Sequence, residues 1–213
     1  MNYGKSGKGF KIILAILIIG IAIWQFNGQG KRRGVSGIPD PVQTQATGQT
    51  KIFSGDYTLN VTYLYEYDIK ALVVSTHNYS GSNVGDKISP RDLALAWGPV
   101  AAYNNVVDFN WRQSGRWYYW NVKTYEEIDK VGGVAGVTQH SSNNHIIPAD
   151  DNVRRLVNKI KVGDYVRLKG YLVSIEGSST DGKTFSWSSS TSRSDDGDHA
   201  CEVIYVTSVE WMD

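Results

Sequence analysis

The sequence predicts an α+β fold: an N-terminal transmembrane helix, then a mainly antiparallel sheet that could curl into a small OB-like barrel, with two or three short helices. Three observations carry this. Residues 12–24, IILAILIIGIAIW, are thirteen uninterrupted apolar positions, a pattern suited to a membrane span or signal segment. Beyond residue 51, several runs rich in Tyr, Val, Thr and Leu show the alternation of half-buried strands. Between those runs sit short segments that carry helix-start signals.

The first element joins a basic N-terminus, residues 1–11 with Lys5, Lys8 and Lys11, to an apolar stretch at 12–26. Its length is at the short end for a span of about 20 residues, but Lys11 can snorkel to the headgroups while Trp24 and Phe26 suit the interface. A cleaved signal peptide is the competing reading. No A-x-A site follows, so an uncleaved signal anchor is expected. Lys31, Arg32 and Arg33 on the far side nearly balance the three lysines and the amino terminus, and the small excess places the C-terminal part outside the cytoplasm. Residues 27–50, rich in Gly, Gln, Thr and Pro, read as a flexible linker, which leaves 51–213 as the globular domain.

Charge narrows the possible partners. The chain is +1 as a whole, yet residues 51–213 hold sixteen Lys or Arg against twenty Asp or Glu, a net of −4. Nucleic-acid binding needs a positive surface that displaces phosphate counterions, so no nucleic-acid partner is expected. Cys201 is the single cysteine, so no internal disulfide and no CxxC zinc site can form.

Along the domain, YTLNVTYLYEYDIKALVVSTHNY at 57–79 predicts one long bent strand or two short ones. In SPRD at 89–92, Ser89, Pro90 and Asp92 form a capping box that predicts a helix through LALAW, ending at Gly98 and Pro99. RWYYWNV at 116–122 has aromatics on both faces and predicts a central strand. Thr124 and Glu127 form a second capping box, whose helix should fray at glycines 132, 133 and 136. Residues 141–152, SSNNHIIPADDN, read as a loop that feeds a third helix, where Val153, Leu156, Val157 and Ile160 recur at helical spacing behind an Asp150 or Asp151 cap. VGDYVRLKGYLVSIEG at 162–177 predicts a long strand with a bulge or bend at Gly170. TFSWSSS and CEVIYVTSVEW complete the strands.

Three stretches carry candidate chemistry. NNHIIPAD resembles the core of an HNH nuclease, but Asn144 rather than an acidic residue precedes His145 and no later His completes a metal site in that helix. Cys201, with His140 or His145, gives the parts of a cysteine transpeptidase with a sortase-like layout, yet the TLxTC motif and a following Arg are missing. SRSDDGDHACE at 192–202 packs three carboxylates beside a histidine, but outside the register of a calcium loop, and also reads as a solvated hairpin turn. The candidate ligand-binding residues are therefore His145, Arg193, Asp195, Asp196, Asp198 and His199. No catalytic residue, metal set or cofactor is assigned.

Taken together, DLALAWGPVA, SGRWYYW, NNHIIPADDNV, GDYVRLKGYLVSI and SRSDDGDHACEVIYV resemble a group of bacterial single-pass membrane proteins to which no activity attaches. The likeness covers about 90–206 and implies a bacterial envelope protein of the inner membrane. The expected function is a membrane-anchored extracytoplasmic binding or assembly domain, with the lipid bilayer and a protein or cell-wall component as partners. The alternative is a cysteine- or metal-dependent envelope hydrolase or transpeptidase.

Overall fold

In the computed structural model, the structure describes residues 32–192 and 201–213. The apolar stretch at 12–26 lies outside them, and no helix of the described residues is long and apolar enough to cross a membrane. The elements run β1 (Val42–Gln45), β2 (Gln49–Ser54), β3 (Tyr57–Asn78), α1 (Val84–Ile88), β4 (Arg91–Ala96), α2 (Gly98–Tyr103), β5 (Arg112–Ser114), β6 (Trp117–Tyr119), a 3-10 helix (Tyr125–Val131), α3 (Gly133–Gln139), β7 (Ser141–Pro148), α4 (Asp151–Lys159), β8 (Tyr165–Ser179), β9 (Thr184–Ser188) and β10 (Glu202–Trp211). The fold is α+β, dominated by one large, mainly antiparallel sheet.

The long strand β3 explains the topology. Its twenty-two residues pair with β2 and β1 on one side, with β4 near its end, and with β8 along most of its length. The order β3-β4-β7-β10-β8 then returns to β3, so these five strands make a closed circuit. Four of the five pairings are antiparallel and β7–β10 is parallel. Register shifts at Tyr63/Tyr65 and Val73/Ser75 let β3 bend enough to serve several neighbours. Leu59, Val61, Ile69 and Leu72 on β3 and Leu168, Leu172, Val173 and Ile175 on β8 are fully buried.

The third predicted helix is present as α4, and the Asp150 carboxylate accepts from the Val153 N–H at 2.9 Å. Its C-terminal carbonyls are closed by Arg91, which donates to Val157, Asn158 and Ile160 at 3.1, 2.8 and 2.6 Å.

Several expectations are corrected. RDLALA is the strand β4, buried at every position, and the helix begins only at Gly98. A short apolar run, LALA, enclosed on both faces mimics a buried helix turn, and the Ser89 and Asp92 side chains bind Arg116 instead of capping. SSNNHIIP is likewise a fully buried strand, β7, rather than a loop. RWYYW is no central strand: β6 pairs only with β5, in a separate hairpin. The short helix expected after Thr124 is there and ends at Gly132 in the left-handed conformation, but it is a 3-10 helix without a side-chain cap bond, and Gly133 at once opens α3.

Two further corrections concern the linker and Gly170. The Val35 N–H donates to the Ala101 carbonyl at 3.0 Å, Ile38 is buried, Asp40 accepts from Trp97 Nε1 at 3.1 Å, and β1 joins the sheet. The compact unit therefore begins at Arg33, not at residue 51. The bulge expected at Gly170 is present in the β8–β10 ladder, but its extra residue, Thr207, is on the partner strand: Val206 pairs with Gly170 and Ser208 with Lys169. A Cβ at Gly170 would stand 2.0 Å from the Tyr205 carbonyl oxygen, so Gly permits the close approach.

Candidate functional site

Strand alternation puts Asp92 on the face of β4 directly opposite His145 on β7 and beside His77 on β3. Asn143 shares that face two residues before His145, and the parallel register of β10 brings Cys201 alongside Asn143. Asp92, Asn143 and His145 are all buried. His145 Nδ1 stands 3.0 Å from Asp92 Oδ2, but its N–H is not aligned on that oxygen. The His145 ring also packs on Trp187 of β9, centroids 4.7 Å apart.

The β5–β6 hairpin closes over this face. Its two-residue turn, Gly115-Arg116, has φ of 60° and 72°, positive at both positions as in a type I′ turn. For Arg116 that is a strained left-handed conformation, and contacts hold it there. Its guanidinium donates to Asp92 Oδ1 (2.7 Å), Asp86 Oδ1 (2.6 Å) and the Ser89 carbonyl (2.8 Å), and lies over the Tyr79 ring at 3.6 Å. Its main-chain N–H donates to Tyr79 Oη at 3.0 Å, and its carbonyl accepts from Asn143 Nδ2 at 2.9 Å. Gln113 Nε2 donates to Asn143 Oδ1 at 2.6 Å.

These contacts settle the electrostatics of the face. Two carboxylates converge on one guanidinium, so the charge on Asp92, taken fully out of water, has a bonded cation. Burial, with the neighbouring Asp92 charge, pushes the Tyr79 phenol well above its ordinary value, so it remains neutral.

Of the sequence candidates, only His145 falls within the described residues. It is 3% exposed and engaged by Asp92 and Trp187, so it is not a solvent-facing ligand residue. Arg193, Asp195, Asp196, Asp198 and His199 lie outside the described residues. Cys201 Sγ approaches Asn143 Nδ2 at 3.9 Å and the Arg116 carbonyl at 4.0 Å, while the contacts of His145 go to Asp92 and Trp187. His140 is at the other end of β7, with Nδ1 on the Gly136 carbonyl at 2.8 Å.

Sequence reasoning missed Asp92, Arg116, Tyr79, Asn143 and Trp187. One signal was present: an Asp at the head of an apolar run almost never becomes fully buried without a bound cation. Which cation, twenty-four residues away, was not encoded locally.

The outer face of the hairpin is different in kind. Trp117 and Tyr119 point away from the core, 36% and 47% exposed, with Arg112 directly across from Tyr119. The inner aromatics Trp111, Tyr118 and Trp120 pack against the core instead. Elsewhere, a groove of about 320 Å³ is lined by Glu66, Asp68, Lys169, Tyr171 and others. Its Asp68 is held by Arg167 in two bonds of 2.8 and 2.6 Å, so that carboxylate is already matched. Comparisons with protein-family models, curated proteins and solved structures find no match.

Proposed function

We propose that this chain is a membrane-anchored, extracytoplasmic binding or assembly domain of a bacterial envelope, and that its folded part is an OB-type barrel. The strand order supports the fold reading: numbered in chain order as first to fifth, the strands of the circuit pair 1-2-3-5-4-1, with 3 and 5 parallel and α4 between 3 and 4. OB-type barrels take ligands on the face of their second and third strands, between the 1–2 and 4–5 loops. In this chain those strands are β4 and β7, and the two loops supply Tyr79, Asp86 and Trp187.

The observation that carries the binding reading is the exposed pair Trp117 and Tyr119, set beside Arg112 on a hairpin that Arg116 pins over this face. Two exposed aromatic rings next to a cation form a platform for a sugar ring or a peptide, which fits a cell-wall or protein partner. The enzyme alternative draws less support, since the contacts of His145 go to Asp92 and Trp187.

The test is capture of the full-length chain, in detergent, by purified cell-wall sacculi and by proteins of solubilised membranes. Trp117→Ala with Tyr119→Ala should lower capture at least tenfold, while Cys201→Ser leaves it unchanged; unaltered capture by the aromatic double variant would reject the platform. Fusing periplasm-active and cytoplasm-active reporters to the C-terminus tests the side of the membrane.

A further inference from the structure

We infer that the pocket between Tyr79, Asp86, Ser89 and Asp92 is a guanidinium site, filled here by the chain's own Arg116 and open to an arginine side chain of a peptide or protein partner. This rests on the binding reading above and names one chemistry that the same face would recognise.

The scaffold builds the pocket without the hairpin. Asp86 is held by Asn83, whose Nδ2 donates to Asp86 Oδ2 at 2.8 Å and whose Oδ1 accepts from the Asp86 N–H at 2.8 Å. Gly81 leaves room for that carboxylate, since a Cβ there would lie 2.0 Å from Asp86 Oδ2. Asp92 is fixed on the central strand β4 and Ser89 presents its carbonyl from the turn before it. Tyr79 supplies the ring floor, and Trp187 stands 5.4 Å from the guanidinium carbon. Acceptors thus converge on both terminal nitrogens of a planar fork stacked on an aromatic ring, a geometry that fits arginine and not the compact ammonium of lysine.

The occupant comes from a short hairpin outside the main sheet, held to it by side-chain contacts and not by strand pairing. The hairpin strands are three residues each and pair only with each other. Arg116 reaches the pocket from a strained backbone, its side chain keeps 21% exposure, and nothing lies within 4 Å of a Cβ built at Gly115. An incoming arginine on an unstrained backbone can make the same bonds and release that strain, lifting the hairpin that carries Trp117 and Tyr119.

The test uses the full-length chain in detergent with two probes, an acetylated and amidated arginine peptide and its citrulline counterpart, which has the same shape without the charge. In Arg116→Ala, the arginine probe should bind at least tenfold more tightly than the citrulline probe, and adding Asp92→Asn should erase the difference. In the unmodified protein, saturating arginine probe should accelerate amide hydrogen exchange across 112–119, and the citrulline probe should not. If Arg116→Ala does not fold, Arg116→Lys serves in its place, because an ammonium leaves part of the acceptor set open. Equal binding of both probes would overturn the guanidinium site; discrimination by the variant without any exchange response in the unmodified protein would overturn its exchange with a partner. Loss of cell-wall capture in the Trp117/Tyr119 variant, with arginine discrimination kept, would separate this site from the platform.

Discussion

The β3–β8 and β4–β7 ladders are both buried, and they are held by opposite means. In β3–β8, Leu59, Val61, Ile69 and Leu72 meet Leu168, Leu172, Val173 and Ile175, and most outward positions are polar. In β4–β7 seven of the fourteen positions are polar or charged, Arg91, Asp92 and Ser141 to His145, yet all fourteen are buried. The first ladder needs only volume and alternation. The second needs named partners from elsewhere, since a dry polar group is costly without a bond: Arg91 in the end of α4, Asp92 in Arg116, Asn144 in the Leu93 and Ser142 carbonyls, Ser141 in the Val137 carbonyl, while Arg91 Nε, Asn144 Oδ1 and His145 Nδ1 make none among the described residues.

The sharpest way to break this contrast is Asp92→Ala. It strips Arg116 of its dry counter-charge and should cost about 3–5 kcal/mol in urea unfolding. Leu172→Ala in the apolar ladder should cost about 2–5 kcal/mol through its cavity, but leave arginine discrimination and hairpin exchange intact. If Asp92→Ala proved the milder of the two, the polar ladder would not be a stabilising network. Asp150→Ala, which removes the cap of α4, should cost about 1 kcal/mol.

Proton linkage provides a smaller test with a definite sign. Burial raises the phenols of Tyr63, Tyr79 and Tyr205 above their ordinary value. Their contribution is fully present below the unfolded value of about 10 and is lost as pH rises through the raised values. Tyr79, whose phenol is raised most, should therefore show tyrosinate absorbance only with alkaline unfolding; an early, non-cooperative titration of it would show that this phenol is not dry. Asp68 has the opposite sign: the hydrogen bond from Arg167 holds its carboxyl below the usual range, so its contribution fades as pH falls through that depressed value. The smallest effect expected is on the outer hairpin face, where Trp117→Ala should change stability by within about 0.5 kcal/mol while lowering capture.

Legibility in the sequence follows the same division. The alternation of YTLNVTYLYEYDIKALVV and GDYVRLKGYLV made β3 and β8 readable, and Asp150 with Val153, Leu156, Val157 and Ile160 made α4 readable, because each signal lies within one turn or one strand of its cause. RDLALA and SSNNHIIP misled because strands buried on both faces do not alternate, and their polar residues look like caps and turns until distant partners are known. Of the site, His145 was noticed for its chemistry but misplaced in a loop, while Arg116 looked like any residue of a turn.

By itself, then, the sequence determined the α+β class, the apolar segment at 12–24, the acidic balance of the domain and the helix behind Asp150, all properties of composition or of neighbours a few residues apart. Only the tertiary structure decided that Asp92 and Asn143 share a face with His145, that Arg116 crosses from a hairpin to neutralise it, and that the stretch after Arg33 docks instead of swinging free. Such pairings are decided by which strands become neighbours and by the requirement that each charge taken out of water be matched, and neither is written in local pattern.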